Sequence, residues 1–293
     1  MHDNQADQLA SNPSQRERSI GAIIAETRHL TAEQVESVLA YQKKHSVRFG
    51  EAAIATGLAS ADDVIFALAQ QYHYPVSLEQ QKQISAELVT LNRPFSQQGE
   101  AFRDLRSQII LRVDPGSEGA RRPLAVVSAD IGDGKTFVAA NLAVTLAQLG
   151  GRTLLVDADM RSPRLHEVFG LANNAGLSNI LSGRTEGQVI QQVSSVQNLF
   201  VLPVGPTPPN PVELVERPAF GLLINELVSK FDHVVVDTPA AAYGSDAAIV
   251  AARCGSVLVV ARRNESRIKA VGQLNEALQH SRAKVLGVLY NEH

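Results

Sequence analysis

The chain has 293 residues, 44% of them hydrophobic and 5% aromatic, with no tryptophan and a formal net charge of -3. This length allows one large domain, or one domain beside a small one, and the aliphatic bias suits a parallel α/β core. The charge excludes a globally basic protein, so no nucleic-acid polymer is expected as partner. The lone Cys254 excludes an internal disulfide and points to a reducing compartment.

Residues 1–17 are polar and are expected to be a disordered tail. A repeat follows over 18–75: Gly21 matches Gly50, Thr27 matches Thr56, Thr31 matches Ser60, Val35 matches Val64, Leu39 matches Leu68 and Gln42 matches Gln71. Thr31 and Ser60 read as helix N-caps followed by acidic residues. Each copy is expected to be a short helix, a turn and a longer helix, and the pair a small all-α domain. The repeat resembles the MshEN module of secretion and pilus ATPases, whose tandem copies can bind cyclic di-GMP. The second copy keeps Arg48, Gly50, Gly57 and Gln71; the first has Ser19 in place of the arginine and Arg28 in place of the second glycine. Two readings of the module stand, a cyclic di-GMP site and a protein-docking module, and the departures favour docking.

Residues 76–97 read as a linker, with a break at Pro94. A strong helix then carries Phe102, Leu105, Ile109 and Ile110, with Glu100, Arg103 and Arg106 sharing one face at a spacing of three.

Leu124–Ser128 is a run of apolar or small residues that reads as a buried strand, and an amphipathic helix is expected from Lys135. Between them stands a glycine-bearing loop ending Gly132-Asp133-Gly134-Lys135-Thr136. Strand, Gly-x-Gly-Lys-Thr and helix make a phosphate-binding loop. The glycines let backbone N–H groups converge on an anion, and the helix start adds its positive end. Lys135 supplies a full charge for the β- and γ-phosphates, and Thr136 a hydroxyl for Mg²⁺. Ala129 stands where the full pattern has its first glycine.

A second apolar run, Leu154–Val156, ends in Asp157-Ala158-Asp159, and a third, His233–Val236, ends in Asp237. Carboxylates at the carboxyl edge of a parallel sheet lie where ligands bind. Strand alternation puts Asp157 and Asp159 on the same side. Further strands are expected over 198–204, 256–261 and 285–290, giving a doubly wound, mainly parallel sheet of the P-loop NTPase class. Cys254 precedes a strand and reads as a buried structural thiol. No run approaches the length of a membrane span, and no apolar signal core stands near Met1. The expectation is a soluble protein, or one peripheral on a membrane through a partner.

The ordered series Glu-x-x-Arg-x-x-Arg (100–106), SADIGDGKT, VDADMRSP, GLSNILSG, LPVGPTPPNPVELV and VVVDTP resembles the bacterial tyrosine autokinases of exopolysaccharide export, over about 98–293. With its MshEN-like front and no fused membrane segment, the chain is most similar to their EpsG-type branch. The resemblance implies MgATP-dependent autophosphorylation on tyrosine on the cytoplasmic side of the inner membrane, with a Wzz-like polysaccharide co-polymerase as partner. It places Gly132, Asp133, Gly134, Lys135, Thr136 and Phe137 in nucleotide binding, Lys135, Asp157 and Asp159 in catalysis, and Thr136, Asp157 and Asp237 around Mg²⁺. It also implies that Glu100, Arg103 and Arg106 build a homo-oligomeric ring; for Asn291 two readings stand, an adenine contact from the end of the last strand, as in similar folds, and a plain loop residue. The family usually ends in a tyrosine cluster; here Tyr290 stands alone near the end. The rival classes are a MinD/ParA-type ATPase switch, which carries a signature lysine where this chain has Asp130, and an ATP-binding scaffold without turnover.

Overall fold

The computed structural model describes residues 19–60, 63–64, 67–68, 85–113, 122–184, 187–281 and 283–292. The expected tail at 1–17, residues 76–84 of the expected linker, and Tyr72 and Tyr74 lie outside them. Two compact units divide the chain, Met1–Val76 and Ser77–His293.

In the first unit, helices run over Ile20–Thr27, Ala32–His45 and Phe49–Ala55. Both expected caps form. The Thr31 hydroxyl accepts from the Gln34 N–H at 3.3 Å while Gln34 Oε1 accepts from the Thr31 N–H at 2.9 Å. The Ser60 hydroxyl accepts from the Asp63 N–H at 3.2 Å, and the Asp63 carboxylate from the Ser60 N–H at 2.7 Å. Each box satisfies two amides that a helix start leaves orphaned. The core is small and aliphatic: Ile23, Ile24, Val38, Ala52, Ala53, Ala59 and Ala67. Gly50 is required by this packing, because a Cβ there would stand 2.6 Å from Val64 Cγ1.

The second unit is built on a sheet of seven strands among the described residues: β1 (Leu124–Ser128), β2 (Thr153–Asp157), β3 (Gln191–Gln192), β4 (Leu199–Leu202), β5 (His233–Asp237), β6 (Ser256–Arg262) and β7 (Lys284–Asn291). Their order is β3-β4-β2-β5-β1-β6-β7. All pairings are parallel except that of β3 on β4. The sheet is thus doubly wound and mainly parallel, as its apolar runs require. Ala125, Val127, Leu154 and Val156 face one core, and Leu124, Val126 and Leu155 face the other. Alternation along each strand feeds both layers, so central strands read as unbroken hydrophobic runs.

Two expectations are corrected. The helix after the phosphate loop, Lys135–Ala147, is not amphipathic: every residue but Phe137 is buried. A helix apolar all round belongs inside the fold. The described part of the expected linker is not a linker either, so the domain begins before 98. A short helix at Val89–Asn92 puts Leu88 and Leu91 into the same core as the phosphate-loop helix. Thr90 is tied there by Asn141, whose Oδ1 accepts from the Thr90 N–H at 3.0 Å and the Thr90 hydroxyl at 2.9 Å. Among the described residues no helix is long and apolar enough to cross a membrane.

Candidate active site

The carboxyl ends of β1, β2 and β5 meet at one edge of the sheet, with β5 between the other two. After β1 the chain turns through Gly132 at φ 87° and Gly134 at φ 95°, the left-handed region that favours glycine. Gly134 is confined further, because a Cβ would meet Asn291 Nδ2 at 2.3 Å. Asn291 ends β7 and donates from Nδ2 to the Asp133 carbonyl at 3.1 Å. Asp133 stiffens the loop from inside: its carboxylate accepts from the Asp130 N–H at 2.9 Å and from the Ser266 hydroxyl at 2.6 Å.

Lys135 Nζ lies 3.5 Å from Asp159 Oδ2. Thr136 donates its hydroxyl to Asp237 Oδ2 at 2.7 Å. The expected residues of the phosphate loop and of the two strand ends therefore come together, but the carboxylates divide their work. Asp159 lies beyond the end of β2, in the loop, and there it faces the lysine. Asp157 uses both oxygens to shape that loop, accepting from the Asp159 N–H at 3.1 Å and the Leu165 N–H at 3.1 Å.

Asp157 and Asp237 are register partners across β2 and β5. Burial pushes the Asp157 carboxyl well above its ordinary range, and the negative charge of Asp237 pushes the same way. Burial likewise lifts Asp237, to about 7, against the attraction of Lys135 and the Thr136 hydrogen bond. Asp237 Oδ1 is buried with no hydrogen-bond partner among the described residues. A buried acceptor left bare is costly unless something meets it. Beside the Thr136 hydroxyl it is a hard oxygen donor of the kind a magnesium ion takes, so the residues present fit that cation.

Beside the loop a cleft of about 610 Å³ is lined by Phe102, Leu105, Phe137, Tyr290, Asn291 and Glu292, among others. Phe137 and Asn291, both expected at the nucleotide, share this cleft. Phe102 meets Phe137 edge-on, with centroids 5.6 Å apart.

The helix Gln97–Val113 carries the Glu-x-x-Arg-x-x-Arg residues. Glu100 pairs with Arg103, whose Nε donates to it at 3.1 Å, and that guanidinium holds the Glu100 carboxyl below its ordinary range. Arg106 turns inward and donates to the Thr145 carbonyl of the phosphate-loop helix at 2.9 Å.

Sequence reasoning missed the groups that brace the site from afar. Arg262 Nη1 donates to the Gly132 carbonyl at 3.2 Å. Arg267 pairs with Asp130 at 3.0 Å. Arg161 meets both oxygens of buried Asp246, at 3.2 and 3.1 Å. Cys254 is buried, as expected, and burial pushes its thiol up.

Residues 124–293 match the family model described as the CobQ/CobB/MinD/ParA nucleotide binding domain. The chain is 36% identical over 219 residues to the putative tyrosine-protein kinase CapB of Staphylococcus aureus, covering 73% of this chain and 93% of CapB. It belongs to the bacterial tyrosine-protein kinases of this nucleotide-binding family. The tyrosine-protein kinase Wzc of Salmonella typhi is 36% identical over 206 residues, 70% of this chain, but this chain spans only 28% of Wzc's length. Among solved structures, the kinase domain of Escherichia coli tyrosine kinase ETK superposes with a TM-score of 0.66 at 30% identity, covering 74% of this chain and 87% of that one.

Proposed function

We propose that the chain is an MgATP-dependent protein-tyrosine kinase that phosphorylates itself and regulates exopolysaccharide chain length and export with a membrane co-polymerase. The observation that carries the reading is the pairing of Lys135 with Asp159 and of Thr136 with Asp237 at one sheet edge. Phosphoryl transfer demands positioning and charge neutralisation more than covalent help. The loop amides from Gly132 to Thr136 cradle the phosphates, and Lys135, oriented by Asp159, adds the mobile charge. Thr136 and Asp237 would hold the magnesium ion, which when bound neutralises charge on the transferred phosphoryl group. Asp157 fixes the 158–165 loop, so its part is to place Asp159. Phe137 and Asn291 seat the base in the neighbouring cleft.

Glu100, Arg103 and Arg106 are assigned to contacts between copies in a ring, and the co-polymerase to recruitment at the inner membrane. On the helical module, cyclic di-GMP is the ligand to assay, but the two departures support docking instead. Arg28 is committed to Asp63 at 2.6 Å, and Ser19 caps its helix by accepting from the Ala22 N–H at 3.3 Å.

The test is phosphotyrosine formation by the purified chain with MgATP, with and without the cytosolic tail of the co-polymerase. Lys135→Met and Asp157→Asn run beside it. Phosphotyrosine that both substitutions abolish is the expected result. ATP hydrolysis with no phosphotyrosine in either arm refutes the kinase reading and leaves a MinD/ParA-like ATPase switch; neither hydrolysis nor transfer leaves an ATP-binding scaffold.

A further inference from the structure

The kinase reading leaves the acceptor unnamed, and the tyrosines are not equivalent. Tyr41 stacks on His45 with centroids 4.2 Å apart, in the helical unit. Tyr290 lies on the edge strand β7 and lines the cleft beside Asn291. Tyr243 differs from both. It ends a single 3-10 turn, Ala241–Tyr243, that follows Asp237 by a few residues. That turn is fastened to the start of the phosphate loop, where the Ala242 N–H donates to the Ala129 carbonyl at 2.9 Å.

We propose that Tyr243 is a phosphoacceptor for the site of its own chain. Its hydroxyl lies 3.2 Å from Ser162 Oγ. The Ser162 N–H donates to Asp159 Oδ1 at 2.9 Å, and Asp159 Oδ2 holds Lys135 at 3.5 Å. Three short contacts thus join the phenol to the lysine that faces the phosphates. The residue is 37% exposed and its hydroxyl is bonded to an exposed serine, so leaving that position breaks into no core. A tyrosine kept for structure buries its ring and satisfies its hydroxyl inside. On transfer, a bond forms between the Tyr243 hydroxyl oxygen and the γ-phosphorus. The bond from that phosphorus to the β,γ-bridging oxygen breaks, and ADP leaves with the electron pair. The phenol proton goes to the Asp159 carboxylate, the acidic group nearest along this path. The new phosphate also has a cation at hand. The Arg161 guanidinium stands 5.7 Å from the Tyr243 ring centroid, and a phosphotyrosine of charge about −1.5 to −2 competes with Asp246 for it.

This rests on the kinase reading, and one experiment separates the two. The full chain is incubated with MgATP, in both arms of the assay above, and phosphorylated residues are mapped by mass spectrometry over a tenfold dilution series. The expected result is phosphate on Tyr243, absent in Lys135→Met, appearing with a first-order rate constant unchanged by dilution. Tyr243→Phe, which keeps the ring over Arg161, should lower the initial rate of total phosphotyrosine formation at least tenfold. Phosphate on other tyrosines with Tyr243 unmodified overturns the proposal and leaves the kinase reading standing. An apparent first-order rate constant that falls in proportion to dilution overturns transfer within one chain. Phosphotyrosine on no residue overturns both.

Discussion

Asp237 should be worth more to the function than to the fold, and Asp237→Asn measures the difference. The folded chain holds this carboxyl at about 7 against an ordinary 3.8. Below pH 4 it is protonated folded or unfolded, and there is no penalty. Between 4 and 7 the unfolded chain has lost the proton and the folded chain keeps it, so rising pH favours unfolding. Above 7 the penalty is complete, about 4 kcal/mol at about 1.4 kcal/mol per pH unit. Asparagine keeps the shape and an acceptor for Thr136 while removing the charge; its buried amide costs about 1–3 kcal/mol in return. The net at pH 8, without metal or nucleotide, is a gain of about 1–3 kcal/mol, a rise in Tm of about 2–12 °C for a domain of this size. At pH 5 the carboxyl is only about one pH unit past its ordinary value, and the gain should vanish. The assay is thermal melting in EDTA from pH 5 to pH 8, repeated with MgATP, which should stabilise the native chain and not the variant. A difference in Tm that does not change with pH, or a variant less stable at pH 8, would refute the reasoning.

Two further outcomes follow from side chains outside the loop. Asn141 is buried and serves four groups: it accepts from the Thr90 N–H and hydroxyl and donates to the Glu87 and Phe137 carbonyls. Asn141→Leu should lower stability by about 2–4 kcal/mol in urea melts, because several buried partners lose their bonds. In the helical unit, burial pushes the Asp63 carboxyl up, but hydrogen bonds from Arg28 and Ser60 together hold it below its ordinary range. Such a group stabilises above its unfolded value, and that contribution is lost as pH falls through the folded one. In Arg28→Ala the Asp63 midpoint, followed by NMR, should move up, and the unit should lose less stability on acidification than the native one.

The layers of the fold are legible where burial is two-sided. β1, β2 and β5 each show a run of apolar residues that nothing but a central strand accommodates, and the aspartates that close β2 and β5 mark the ligand edge. β3 is two polar residues, Gln191 and Gln192, too short to carry a period. The Val89–Asn92 helix has only one turn, and its reason for existing, Asn141, lies 51 residues away. Arg262 is hidden for the same cause. Parallel pairing sets Ser128 beside Val260, which brings the end of β6 to the phosphate loop. Local periodicity reports which face is buried; it holds no information about which distant side chain finishes a loop.

One position shows how a shared fold separates two kinds of ATPase. The MinD/ParA class carries a second, signature lysine ahead of the loop lysine. Here the position is Asp130, which changes the sign of the charge, and the chain has invested that aspartate in the loop itself. Its carboxylate pairs with Arg267 at 3.0 Å and its N–H is held by Asp133 at 2.9 Å. Lysine at 130 would face Arg267 with like charge and give up that tie. The proposed function thus leaves Lys135 as the loop's cation for the phosphates, and it is matched by Asp159 at 3.5 Å on the segment whose Ser162 meets Tyr243. A single loop lysine with a tyrosine at the rim is what the proposed phosphoryl transfer to Tyr243 requires.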